Sequence, residues 1–243
     1  MTLAAAMAAL EQAGSAQTRK TYARHGAPEP LFGVSFAVLK TLAKKTGIDL
    51  DLAHRLWATG NLDARLLAVK VADPGGMTAA ELSRWAREAR MPMLLNYVAQ
   101  LAADGPQAAA LAAKWSASSD PAEAAAAWPL LGQLSMRDET TDDAWFEKRL
   151  AEIERSIHSA PNTQREGMNY AIIAIGCRNP SLRKLAVAAA KRIGKVEVDH
   201  GDTACKTPDA AAYIEASWKH STSKGFPSPA AHERAREPVR TRC

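Results

Sequence analysis

Fifty-one of the 243 residues are alanine, and that fact narrows the fold more than any motif does. Alanine is the best helix former, whereas sheet-favouring β-branched and aromatic residues are scarce; there are four Phe, four Tyr and six Trp. The composition argues against a sheet protein and for an all-α chain in which small side chains let helices pack closely. With 47% hydrophobic and 23% charged residues the chain is globular rather than disordered. Its length suffices for one sizeable core or two small ones. The apolar runs fall well short of a bilayer span, so no membrane helix is expected. The start, MTLAAAMAALEQAG, lacks basic residues and carries Glu11 in its apolar stretch, unlike a signal peptide. Cys177, Cys205 and Cys243 are too few and too scattered for a disulfide framework, which points to a bacterial-type reducing cytoplasm.

Start and stop signals divide the chain into about a dozen short helices. Ser35 caps a helix with Phe36, Leu39, Leu42 and Ala43 on one face, and Gly47 ends it. Asp51–Ala58 and Leu62–Ala72 follow, the second capped by Asn61, and Asp73-Pro74-Gly75-Gly76 makes a turn. Thr78 and Glu81 have the capping-box spacing, and Pro92 suits the first turn of a helix running to Ala103. Further helices end near Trp115, begin at Asp120-Pro121, span Thr141 to Ile157 and Gln164 to Cys177, and run from Asn179-Pro180 to Gly194. Pro208-Asp209 opens the last, through Trp218. Trp57, Trp85, Trp115 and Trp145 recur at 28, 30 and 30 residues. A large anchor at that period indicates stacked helix pairs, a HEAT-like helical-repeat superhelix or α-α solenoid whose hand stays open. The domain is expected over residues 1–220, and residues 221–243, rich in Ser, Pro, Arg and Lys without an apolar period, as a disordered basic tail.

The net charge of +5 is unevenly placed. From Lys219 onward six basic residues face two acidic ones. Between Leu101 and Gln164 there are five basic and ten acidic residues, whereas Arg165 to Lys195 holds seven basic and one acidic. Such polarity permits a phosphate-facing surface, although solvated helix faces give the same runs.

Three segments carry residues suited to chemistry. In the 194–208 loop, Asp199, His200, Asp202 and Cys205 are metal-competent, and His200 with Cys205 has the makings of a base–nucleophile pair. The spacing matches no zinc pattern, so a loop bonded to its own backbone, with Lys206 contacting phosphate, is the favoured reading. In the 158–170 segment, Arg165 and Asn169 are four apart on one helix, with Tyr170 beside them. These types suit phosphate, sugar and stacking contacts, and a polar face with a half-buried tyrosine explains them equally well. The third segment, Tyr22 to Val34, contains His25 and a Gly/Pro-rich turn between helices.

The run from Tyr22 through Asp73, with Phe32-Gly33-Val34 and Leu56-Trp57-Ala58-Thr59-Gly60-Asn61 followed by Asp63-Ala64-Arg65, resembles the DNA alkylation repair family, the AlkD-type HEAT-like-repeat alkylpurine DNA glycosylases. The segment from Ile157 to Ile214 is similar to one branch of it. The resemblance implies a superhelix whose concave basic face grips double-stranded DNA, with no cofactor and no metal. It also implies release of cationic bases such as N3-methyladenine and N7-methylguanine by a carboxylate beside two tryptophans and an arginine. A carboxylate stabilises the oxocarbenium-like sugar left by the departing base, and aromatic faces hold the cation. In this sequence the first tryptophan position falls at Pro92, the carboxylate at Asn96, the arginine near Ala126 or Ala127, and the second tryptophan near Tyr170. Asn96 carries no charge, so the usual chemistry is expected to be weak or absent.

Three readings remain: a catalytically silent DNA binder, a glycosylase rearranged around Asp199 or Asp202, and a helical scaffold for protein partners. The first expects Lys44, Lys45, Arg165, Asn169, Tyr170, Arg178 and Lys206 on the DNA-facing side, in a monomer that does not engage membranes. A convex placement of those cations would favour the scaffold.

Overall fold

A computed structural model describes residues 1–237 and 239–242. Every regular element among the described residues is helical, and none is long and apolar enough to cross a membrane. The chain divides into two compact units, residues 1–107 with 238–243, and residues 108–237.

The first unit contains α1 (Leu3–Ala13), α2 (Ala16–Arg24), α3 (Phe36–Thr46), α4 (Leu50–Ala58), α5 (Leu62–Val71), α6 (Ala79–Glu88), α7 (Pro92–Ala103) and α15 (Val239–Arg242). Its centre is α5, which packs against α1, α3, α4, α7 and α15 and buries every residue except Arg65. Asn61 caps α5 at the Ala64 amide, and Thr78 with Glu81 forms the expected capping box on α6. Helices α1 and α2 lie outside the sequence assignment, although Thr2 and Ser15 cap them by accepting from the Ala5 and Thr18 amides.

The second unit contains α8 (Ala108–Ser116), α9 (Pro121–Arg137), α10 (Asp143–Ser156), α11 (Asn162–Gly176), α12 (Pro180–Ile193), α13 (Ala210–Ser223) and α14 (Pro229–Arg234). Its most extensive pairing is α9 with α11. Close approach is built in at Gly167, where an added Cβ would lie 3.0 Å from the Trp128 Cβ. Gly176 does the same for α11 and α13, its missing side chain leaving room for Ile214.

The four periodic tryptophans fall on alternate helices, α4, α6, α8 and α10, as a helix-pair repeat requires. Trp57, Trp85 and Trp115 are core residues; Trp145, at the start of α10, is half-buried. Trp57 and Trp85 stack with centroids 4.1 Å apart.

The expected disordered tail is a correction. Helix α13 continues to Ser223, and α14 follows with Pro229 and Ala230 buried. In the first unit Arg240 is 4% exposed and donates to the carbonyls of Val69 and Lys70 and to the Asp104 carboxylate. Order comes here from caps and carbonyl-seeking arginines rather than from an apolar period, so periodicity does not register it.

Candidate nucleic-acid interface

Helix α7 presents Pro92 and Asn96, four residues apart, on an exposed face. Asn96 therefore lies where a ligand can reach it, as a neutral amide. Ala126 and Ala127 are buried in α9, so neither supplies a surface.

In the second unit the 194–208 loop is fastened onto α11. Asn162 clamps Asp199 at both main-chain groups, donating to its carbonyl at 2.8 Å and accepting from its amide at 2.8 Å. Arg165 donates to the carbonyls of Ala160 (2.8 Å) and Glu197 (3.2 Å). Asn169 is 1% exposed and donates to the Pro208 carbonyl at 3.0 Å. It is a loop anchor, which removes it from the expected DNA-contacting face. Within the loop the Asp199 carboxylate accepts from the Gly201 amide, and the Thr203 hydroxyl donates to the His200 carbonyl. His200 pairs its Nε2 with the Thr207 hydroxyl at 2.9 Å, while its Nδ1 lies 4.0 Å from Glu166. Among the described residues no three His, Cys, Asp or Glu side chains gather into a metal site. Asp199 and His200 are bonded into a structured loop, Cys205 donates its amide to the Thr203 hydroxyl, and the Asp202 and Cys205 side chains are exposed.

Above this fastened base stand the side chains that face solvent. Tyr170 and Tyr213 are 44% and 48% exposed, and in the loop Cys205, which lies near Tyr170, and the next residue Lys206 are exposed. The Tyr170 hydroxyl is held above its usual range, first by partial burial and then by Glu166, Tyr213 and Cys205 nearby. Tyr213 escaped the sequence reading. The signal was there: Ala210, Ile214 and Trp218 recur every four residues as the buried stripe of α13, which turns Tyr213 outward.

Other expected contacts separate by burial. Lys44 and Lys45 are exposed in the last turn of α3, where cations also complement the helix dipole. Arg178 does not reach the surface and is a further correction. Its guanidinium donates to the carbonyls of Leu134, Ser135, Asp138 and Thr141 and lies 4.4 Å from the Phe146 ring centroid. Four carbonyls at the end of α9 and in its following turn need a donor there, and a buried arginine supplies it. His25 is the exposed residue that ends α2.

The motif residues of the first unit hold structure. The fully buried Asp63 carboxylate accepts from three successive amides, Phe32 (2.6 Å), Gly33 (3.0 Å) and Val34 (2.8 Å). Tyr22 donates its hydroxyl to the Val34 carbonyl at 2.7 Å, with its ionisation pushed up by burial and then by Asp63 and Tyr97. Trp57 donates to Glu88, and Arg65 bridges the carbonyls of Trp57 and Glu88 with its guanidinium 4.9 Å from the Trp57 ring centroid.

The family model described as DNA alkylation repair enzyme matches residues 6–214. The chain belongs to the DNA alkylation repair family. Among solved structures it is similar to one described as a new family of proteins related to the HEAT-like repeat DNA glycosylases with affinity for branched DNA structures. That likeness has a TM-score of 0.82 and 31% identity, and covers 93% of this chain and 95% of the other. Uncharacterized proteins of Listeria innocua and Listeria monocytogenes are each 28% identical over 204 residues, or 82% of this chain and 89% of theirs. The fold of this family member is accordingly the HEAT-like helical repeat expected from its alanines and tryptophans.

Proposed function

We propose that the protein binds double-stranded DNA, favours branched duplexes, and does not excise bases by the family's carboxylate chemistry. The observation that carries this reading is the likeness, over nearly the whole of both chains, to a protein with affinity for branched DNA. Asn96 supports its second half. The exposed α7 face offers an amide that cannot bear the charge an oxocarbenium ion needs, and Pro92 beside it offers no aromatic face. Lys44 and Lys45 in the first unit, and Lys206, Tyr170 and the outward part of Arg165 in the second, are the contacts assigned to DNA. Neither metal nor cofactor enters the reading, and the protein acts as a monomer in a bacterial cytoplasm.

The test follows binding to a four-way junction and to a linear duplex of matched sequence over a salt series, with N7-methylguanine release measured in parallel. Junction binding that weakens steeply with salt, without base release above the spontaneous rate, is expected. Salt-independent binding, or none at low salt, overturns the DNA assignment. Release abolished by substituting Asp199 or Asp202 restores the enzyme reading.

A further inference from the structure

We infer that Tyr170 and Tyr213 form a stacking platform for an unpaired nucleobase, with Lys206 placed for the adjoining phosphate. This deepens the DNA-binding reading and rests on it, because it says which part of a branched duplex is gripped in the second unit.

The platform is unusual within the molecule. Among the described residues the exposed large apolar side chains are Ile48, Tyr170, Leu185 and Tyr213, so both exposed aromatics belong to one cluster. They come from helices packed against each other, α11 and α13, and Gly176 holds those helices close by admitting Ile214, the neighbour of Tyr213. The platform's third side is the loop bearing Cys205 and Lys206, fixed to α11 through Asn169 and Pro208 and through Asn162 and Asp199. Leaving two large rings in water costs apolar surface, while the rigid scaffold beneath lowers the ordering cost of anything that stacks on them.

The chemistry selects the occupant. Tyrosine faces stack on any base, and a lysine in the adjoining loop suits a phosphate next to that base. Glu166, one turn from Tyr170, adds an acceptor for an exocyclic amine at the base edge. Paired bases within a duplex bury the faces such a platform needs, whereas a branch point leaves bases unstacked.

The experiment compares the full chain with its Tyr170→Ala, Tyr213→Ala, Tyr170→Phe and Tyr213→Phe variants on three probes. These are a perfectly paired duplex, a three-way junction with two unpaired thymines at the branch, and the same junction with 2-aminopurine as an unpaired base. Each alanine variant should lose five- to a hundredfold in affinity for the unpaired junction, roughly the range measured for removing one base–aromatic stack. Both phenylalanine variants should stay within about twofold, because stacking needs the ring and not the hydroxyl. Affinity for the perfectly paired duplex should fall less than affinity for the unpaired junction, and 2-aminopurine fluorescence should be quenched by the parent chain but not by the alanine variants. Alanine variants that bind the unpaired junction like the parent overturn the platform while leaving DNA binding intact. A parent chain that binds none of the probes overturns both.

Discussion

Replacing Arg240 with alanine tests whether the last residues of the chain are a structural part of the first unit. Val69 and Lys70 lie in the last turn of α5, where carbonyls lack helical partners. Arg240 donates to them from Nη1 at 2.8 and 3.1 Å and reaches Asp104 from Nε at 3.0 Å. In return the buried Lys70 ammonium donates to the Arg240 carbonyl at 2.9 Å and lies 4.7 Å from the Tyr97 ring centroid. A cation at a helix C-terminus also meets the favourable end of the dipole. Charge-assisted bonds are each worth about 1.5–3 kcal/mol, but breaking one partner of a buried pair costs about 3–5 kcal/mol in all, which bounds their sum.

An Arg240→Ala loss of about 3 kcal/mol corresponds to a fall in Tm of roughly 6–12 °C for a chain of this size. Amide exchange should locate it, rising in α5 and leaving α9 and α11 of the second unit as they were. Arg240→Lys, which keeps the charge without the fork, should fall between the two. A Tm within about 3 °C of the parent, a loss nearer 1 kcal/mol, would refute the argument and return the segment to the status of a tail.

Asp63→Asn should destabilise by about 3 kcal/mol, because its amide group turns a donor toward one of three buried N–H groups, and Tyr22→Phe by about 1 kcal/mol; urea unfolding measures both. In a Cys243→Ser background, maleimide at pH 8 followed by mass spectrometry should label Cys205 alone. Burial pushes the Cys177 thiol up to about 12 despite a hydrogen bond from Ser217, so a second label should appear only in denaturant. Burial raises the Asp138 carboxyl, but donors from Thr141 and Thr140 outweigh it and leave the pKa at about 2 against 3.8 when unperturbed. Its contribution, about 1 kcal/mol after allowance for solvent screening, is present above about pH 4 and disappears as the pH falls toward 2. A Thr140→Val, Thr141→Val double variant should flatten that part of the stability–pH curve. Asn96→Asp should leave N7-methylguanine release within about fivefold of the spontaneous rate, because a carboxylate on an exposed face contributes near the ~1 kcal/mol expected in water.

The fold was legible because its signals are local. Caps at Ser35, Asn61 and Thr78, prolines at Pro92, Pro121 and Pro180, and glycines at Gly47 and Gly194 mark helix ends by chemistry that acts within a turn. What escaped depends on partners far along the chain. Arg240 finds α5 across some 170 residues, and Asp63 finds its three amides about 30 residues back. Nothing in the neighbourhood of either residue announces such a partner. The same blindness misassigned Arg178 and Asn169, since arginine and asparagine serve backbone carbonyls and phosphates with identical donors. Only burial separates the two uses.

That ambiguity bears on function as well as on fold. The motif carrying the family resemblance, from Phe32 to Arg65, is a lattice of Asp63 with amides and of Arg65 with carbonyls, so it reports descent rather than chemistry. A chain can keep it intact for stability while the residues that act on DNA change freely. What a ligand meets lies on the surface instead: a proline and a neutral amide on α7, and a pair of tyrosines on α11 and α13. Removing a carboxylate forfeits stabilisation of a cationic sugar, whereas presenting aromatic faces beside a lysine gains sequence-tolerant grip on exposed bases. On the function proposed above, surfaces of the second kind suit holding DNA rather than cutting a glycosidic bond.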